Sequence, residues 1–198
     1  MAHKLRILCL HGFTSNGSVH AHQVRNITQR LPSDYEFLFP DGPHVVDMPE
    51  TDDSDNIAWQ DYVASHSTSG HRAWWFARDG NWQNKETGGF FGLEESLTFI
   101  GDLIKSSGPV HAIWGFSQGA CFAAMLMALL SSNHPMRKYL PVPDSEAPMA
   151  GVFFSGFKSR FEQYAGIYRP GIQVSTLHVI GANDLYIRKK IRRGLHSF

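Results

Sequence analysis

The sequence predicts an α/β fold: a mostly parallel sheet with helices on both faces. Three observations carry this. Five short apolar runs of strand length recur along the 198 residues, segments with helical spacing of apolar residues separate them, and glycine or proline closes most runs. Short buried strands alternating with helices imply parallel βαβ units, because a parallel neighbour is reached only through a crossover.

The elements follow in order. "LRILCLHG" is apolar and ends in glycine, so it reads as a buried strand. "NGSVHAHQVRNITQRLP" carries Val19, Val24, Ile27 and Leu31 at rough helical spacing and stops at Pro32. "YEFLFPDGP" is a second strand running into a turn, and residues 47–56 form an acidic loop. The aromatic, glycine- and serine-rich stretch from Trp59 to Phe91 predicts no regular element. "LEESLTFIGDLIKSSGP" is a helix, with Leu93, Leu97, Ile100 and Ile104 on one stripe and Gly108-Pro109 as its stop. "VHAIWG" is a third strand. "SQGACFAAMLMALLSS" is a helix apolar all round, hence buried. "AGVFFSG" and "VSTLHVIG" supply the fourth and fifth strands.

The chain's 198 residues fit one domain, 1–198, with a sizeable core. Net charge is zero, which gives no reason to expect nucleic acid as a partner. The charge is uneven: residues 188–193 hold five of the 18 cations, leaving 13 cations against 18 acids in the rest. Cys9 and Cys121 fall inside apolar runs and read as small buried residues. The longest apolar run, Ala120 to Leu130, is too short to span a bilayer, and the N-terminus lacks the pattern of a signal peptide. A cytoplasmic protein with no membrane partner is the expectation.

The residues suited to chemistry stand just past strand ends, where open α/β sheets bind ligands. Gly115-Phe116-Ser117-Gln118-Gly119 has the G-x-S-x-G spacing of a nucleophile elbow. Such a serine sits on a sharp strand-to-helix turn. Its glycines let the two elements approach, and the helix's positive end favours developing negative charge. His11-Gly12 follows the first strand, so the backbone N–H of Phe13 is a candidate oxyanion donor, with the N–H of Gln118 as the second. The His11 side chain itself reads as structural. Asp184 follows the fifth strand, where the acid of a Ser…Asp…His order belongs. His20-x-His22 lacks a third ligand at metal spacing and reads as surface helix polarity, so no metal and no cofactor are expected. His66 and His71 read as solvated loop residues. Trp74, Trp75, Phe76, Phe90 and Phe91 either line an acyl pocket or pack beneath a long loop.

With "ILCLHGFTSNGSVHAHQ", "FPDGP", "RAWWF", "GLEESLTFI", "GPVHAIWGFSQGACFAAML" and "LHVIGANDLYI", the chain from about Leu5 to Ile187 resembles the FSH family of serine hydrolases. The resemblance implies an α/β-hydrolase-like fold and an esterase or thioesterase acting through an acyl-enzyme. It makes Ser117 the nucleophile and Asp184 the acid. Its fungal members act beside polyketide synthases, which implies an acyl ester or acyl-carrier thioester as substrate and a polyketide synthase as partner.

The pattern departs from the family after Asp184. The family continues through a helix and a further strand to a histidine, whereas here "LYIRKKIRRGLHSF" offers only His196. The expectation is a C-terminally truncated member, with its last strand missing and a divergent basic tail at 188–198. Whether His196 or no residue is the base stays open, and an inactive or weakly active relative that binds acyl groups or a partner is the alternative. Val174 to Gly181 then becomes an apolar edge strand, which favours a homodimer.

Overall fold

The computed structural model describes residues 4–77, 88–143, 147–159 and 161–184. Strand β1 (Leu5–Leu10) leads into helix α1 (Gly17–Thr28), and β2 (Tyr35–Leu38) follows. Two short antiparallel ribbons lie in the next segment: β3 (His44–Val45) with β4 (Arg72–Ala73), and β5 (Phe76–Ala77) with β6 (Phe90–Phe91). Helix α2 (Ser54–His66) separates β3 from β4. Then come α3 (Leu93–Ser107), β7 (Ala112–Phe116), α4 (Gln118–Leu130), β8 (Ala150–Phe154) and β9 (Ser175–Val179). Single 3-10 segments span Pro135–Tyr139 and Glu162–Tyr168.

Among the described residues the main sheet has the order β2-β1-β7-β8-β9, and every pairing is parallel. The chain steps from β1 to β2 in one direction and from β7 to β8 in the other. Right-handed crossovers then put α1 and α4 on opposite faces. Burial agrees with this. Leu8, Leu10, Ile113 and Phe153 join α3 and α4 in one apolar cluster, while Cys9, Trp114 and Val19 are buried outside it. The boundary between β1 and β7 is therefore the point where strand order reverses, the place where such sheets build ligand sites.

Helix α4 matches its sequence pattern, with every residue from Gln118 to Leu129 buried. Helix α2 departs from the expectation of an acidic loop followed by irregular chain. Only Val63 on it is buried, so it carries no apolar stripe to read. Its start is fixed by Asp53, whose side chain accepts from Asn56 N–H at 2.9 Å. Ring contacts hold it to α1, with His66 and Tyr62 both against His22. Of the aromatic segment, Trp74 and Trp75 follow the packing reading, both buried against Phe122 of α4, whereas Phe91 is 62% exposed. The expected apolar edge is present in part. Among the described residues β9 is the edge strand, and Leu177 on it is 57% exposed. Residues 188–198 lie outside the described residues.

Candidate active site

Ser117 lies between β7 and α4 with φ 50° and ψ −112°, in the positive-φ region that non-glycine residues rarely occupy. Its backbone fixes the turn from both sides. Its N–H donates to Phe154 of β8 at 2.9 Å, and its carbonyl accepts from Ala120 and Cys121, starting the helix. The glycines of the motif have a steric reason. A Cβ on Gly115 would stand 2.4 Å from the Gly119 carbonyl oxygen, and one on Gly119 would stand 2.2 Å from that of Leu10. The elbow therefore fits only because β1, β7 and α4 touch backbone to backbone.

Gln118 is the first residue of α4, so its N–H has no acceptor inside the helix and stays at the helix's positive end. Its side chain does something the sequence did not announce. Oε1 accepts from Trp74 N–H and Nε2 donates to the Trp75 carbonyl, both at 2.9 Å and both buried. One amide thus ties the segment holding the two tryptophans to the elbow.

The loop after β1 is held just as closely. Gly42 N–H donates to His11 Nε2 at 2.8 Å, so the ring's proton is on Nδ1, which donates to the Gly12 carbonyl at 2.7 Å. Burial pushes the His11 pKa down to about 4, which keeps the ring neutral and structural, as its place in the sequence suggested. Trp74 Nε1 donates to the His11 carbonyl, and Trp59 Nε1 and His71 Nδ1 both donate to the Thr14 carbonyl. Phe13 stands between these anchors with its ring 46% exposed and edge-on to Phe76. His71 is thus a fastener of this loop and not a solvated residue; His66 closes α2, its Nδ1 donating to the Tyr62 carbonyl. Trp59 and His71 were concealed in the stretch with no readable periodicity.

Asp184 lies past β9 in a turn closed by its own N–H on Gly181. Its Oδ2 accepts from Ser155 Oγ at 2.7 Å. Ser155 follows Phe154, the residue that receives Ser117 N–H, so two hydrogen bonds and one peptide unit join Ser117 and Asp184. No described histidine hydrogen-bonds Ser117 Oγ, and His196 lies outside the described residues. His20 corrects the reading of surface polarity. It is 2% exposed, with burial lowering its pKa to about 4, while His22 is half-buried against Tyr62 and His66. Among the described residues no three His, Cys, Asp or Glu side chains gather as metal ligands, and no helix is long and apolar enough to cross a membrane.

A strained serine at the switch point, under a buried helix and beside an anchored loop after β1, is the architecture of an α/β-hydrolase. Comparison with known proteins agrees. Residues 1–198 match the family described as Serine hydrolase (FSH1), and the chain belongs to that family. The chain is 31% identical over 196 residues to Esterase OVCA2 of Danio rerio, covering 96% of this chain and 82% of that protein. It is 30% identical over 194 residues to Esterase CG5412 of Drosophila melanogaster, covering 97% of this chain and 62% of the fly protein. The chain thus spans about six tenths of the length of the fruit-fly relatives. Among solved structures, acyl-protein thioesterase 2 of Zea mays aligns at a TM-score of 0.54 with 15% identity, over 98% of this chain and 94% of that one. Esterase PE8 aligns at 0.52 with 20% identity, over 98% and 80%. These two likenesses concern the fold.

Proposed function

We propose that the protein is a serine esterase or thioesterase that cleaves acyl esters or thioesters through an acyl-enzyme. The observation that carries this is Ser117 itself, held at φ 50° between β7 and the buried α4. Strain of this kind persists only where the surroundings over-determine it, and a plain turn has no need of it. Ser117 Oγ attacks the acyl carbonyl carbon while its proton passes to a base. The resulting oxyanion is held by the N–H groups of Phe13 and Gln118. The alcohol or thiol leaves with that proton, and water then attacks the acyl-Ser117 ester and releases the carboxylic acid. Asp184 is the acid that orients the base. The family's esterase relatives support the ester class. A carrier-bound polyketide acyl thioester passes through the same tetrahedral intermediate, and it is the finer substrate we propose, in a cytoplasmic setting beside a polyketide synthase.

A second reading has one observation in its favour. No described histidine is bonded to Ser117, and His11, the nearest in sequence to the candidate oxyanion loop, has both ring nitrogens engaged. A weakly active relative that binds acyl groups would look like this. Hydrolysis of p-nitrophenyl acyl esters separates the readings. The enzyme reading expects turnover that falls by about 10³-fold or more in Ser117→Ala and comparably in a variant of the true base, His196→Ala being the first to make. Rates equal in wild type and Ser117→Ala contradict it.

A further inference from the structure

We propose that Ser155 is a positioning residue that holds the Asp184 carboxylate in its working orientation, an inference that rests on reading Asp184 as the acid of the site. Ser155 has φ 50°, a positive value that it shares with Ser117 one strand away. A residue with a Cβ rarely adopts a positive φ, and glycine, which adopts it freely, is absent here. Ser155 N–H donates to the Val179 carbonyl of β9 at 2.8 Å, so its backbone is still tied to the parallel ladder where the chain leaves β8. In this conformation Oγ reaches Asp184 Oδ2 at 2.7 Å, across 29 residues of sequence.

A hydroxyl donating to a carboxylate is a charge-assisted bond, stronger than a neutral one. Asp184 is half-buried, with its N–H on the Gly181 carbonyl and its Oδ2 on the Ser155 hydroxyl. With Oδ2 fixed, the carboxylate does not rotate freely, so Oδ1 presents one direction to a base. Ser155 also carries the geometry across the sheet, because its neighbour Phe154 accepts the Ser117 N–H. A shift of β8 would move nucleophile and acid together.

Ser155→Gly separates positioning from turn-making. Glycine accepts φ 50° without strain and removes only the hydroxyl. The proposal expects Ser155→Gly to melt at or above the wild-type temperature, yet to lose kcat on p-nitrophenyl esters by roughly 10- to 100-fold with KM unchanged. Ser155→Asn, which tolerates the backbone and restores a donor, should recover part of that loss. In an Asp184→Ala background, Ser155→Gly should have no further effect on kcat. A Ser155→Gly protein with wild-type kcat overturns the proposal if Asp184→Ala is itself impaired. Unimpaired Asp184→Ala overturns the reading of Asp184 as the acid, and the proposal with it. An additive loss in the double variant shows that Ser155 acts on something other than Asp184 and also overturns it. Wild-type protein that neither turns over nor reacts with a fluorophosphonate contradicts the hydrolase reading, and this proposal falls with it.

Discussion

At the ends of β1 and β7, Ser117 is set by packing. Two glycines leave no room for a methyl group, the Gln118 amide clamps the tryptophan segment, and His11, Trp59, His71 and Trp74 tie down the facing loop. At the ends of β8 and β9, Asp184 stands in a turn closed by its own N–H on Gly181, with the Ser155 hydroxyl on its Oδ2, past a strand whose Leu177 is open to solvent. The Ser117 side is thus inseparable from the core. The Asp184 side lies at its edge. Substitutions in the packing around Ser117 should cost stability, and those around Asp184 should cost chiefly activity.

The largest effect expected is from Gly119→Ala. The new methyl group meets the Leu10 and His11 carbonyls, which are backbone atoms of a central strand and its loop and have nowhere to go. A loss of about 4 kcal/mol or more is expected, read as the shift in urea midpoint at constant slope. Gln118→Ala comes next. It strands the buried Trp74 N–H and Trp75 carbonyl, and should cost about 2–4 kcal/mol by the same measurement. A near-neutral result for either breaks the comparison, since the elbow would then be a turn that yields.

The pH dependence sharpens the comparison further. The folded pKa of His11 is held near 4, against an ordinary value of 6.5, chiefly by burial, and His20 behaves alike. Between these values the unfolded chain binds more protons than the folded one, so stability rises with pH. The contribution is complete above about 6.5 and is lost as the pH falls to about 4. Each histidine adds a slope of up to about 1.4 kcal/mol per pH unit. Chemical denaturation from pH 4 to 7 should show this rise, and His11→Asn should flatten part of it. The smallest effect belongs to the edge: Leu177→Ala should change stability by no more than about 0.5 kcal/mol. A loss of several kcal/mol there would show that β9 is as deeply built into the fold as β7.

The same division explains what the sequence reveals. The elbow, the strands around it and α4 are legible because their signals are short in range: apolar runs, spaced glycines and a serine within five residues. The loop after β1 is legible as a place, but not its anchors, because Trp59 and His71 reach it from 45 and 57 residues away. Helix α2 escapes because a helix with one buried side chain has no stripe. His20 is misread because its polarity suggests water, whereas the turn of α1 buries its ring against Phe39. Ser155 is illegible altogether. Its meaning depends on the register of β8 against β9, which brings its strained turn to Asp184.

Covalent labelling reads out whether Ser117 is an activated nucleophile. The protein is treated with a fluorophosphonate, and the adduct is located by peptide mass spectrometry. One adduct is expected, on Ser117, absent from Ser117→Ala and slower to form in Asp184→Ala. An adduct that persists in Ser117→Ala, or a wild-type protein that takes up no label while a known serine esterase is fully labelled alongside it, contradicts the account.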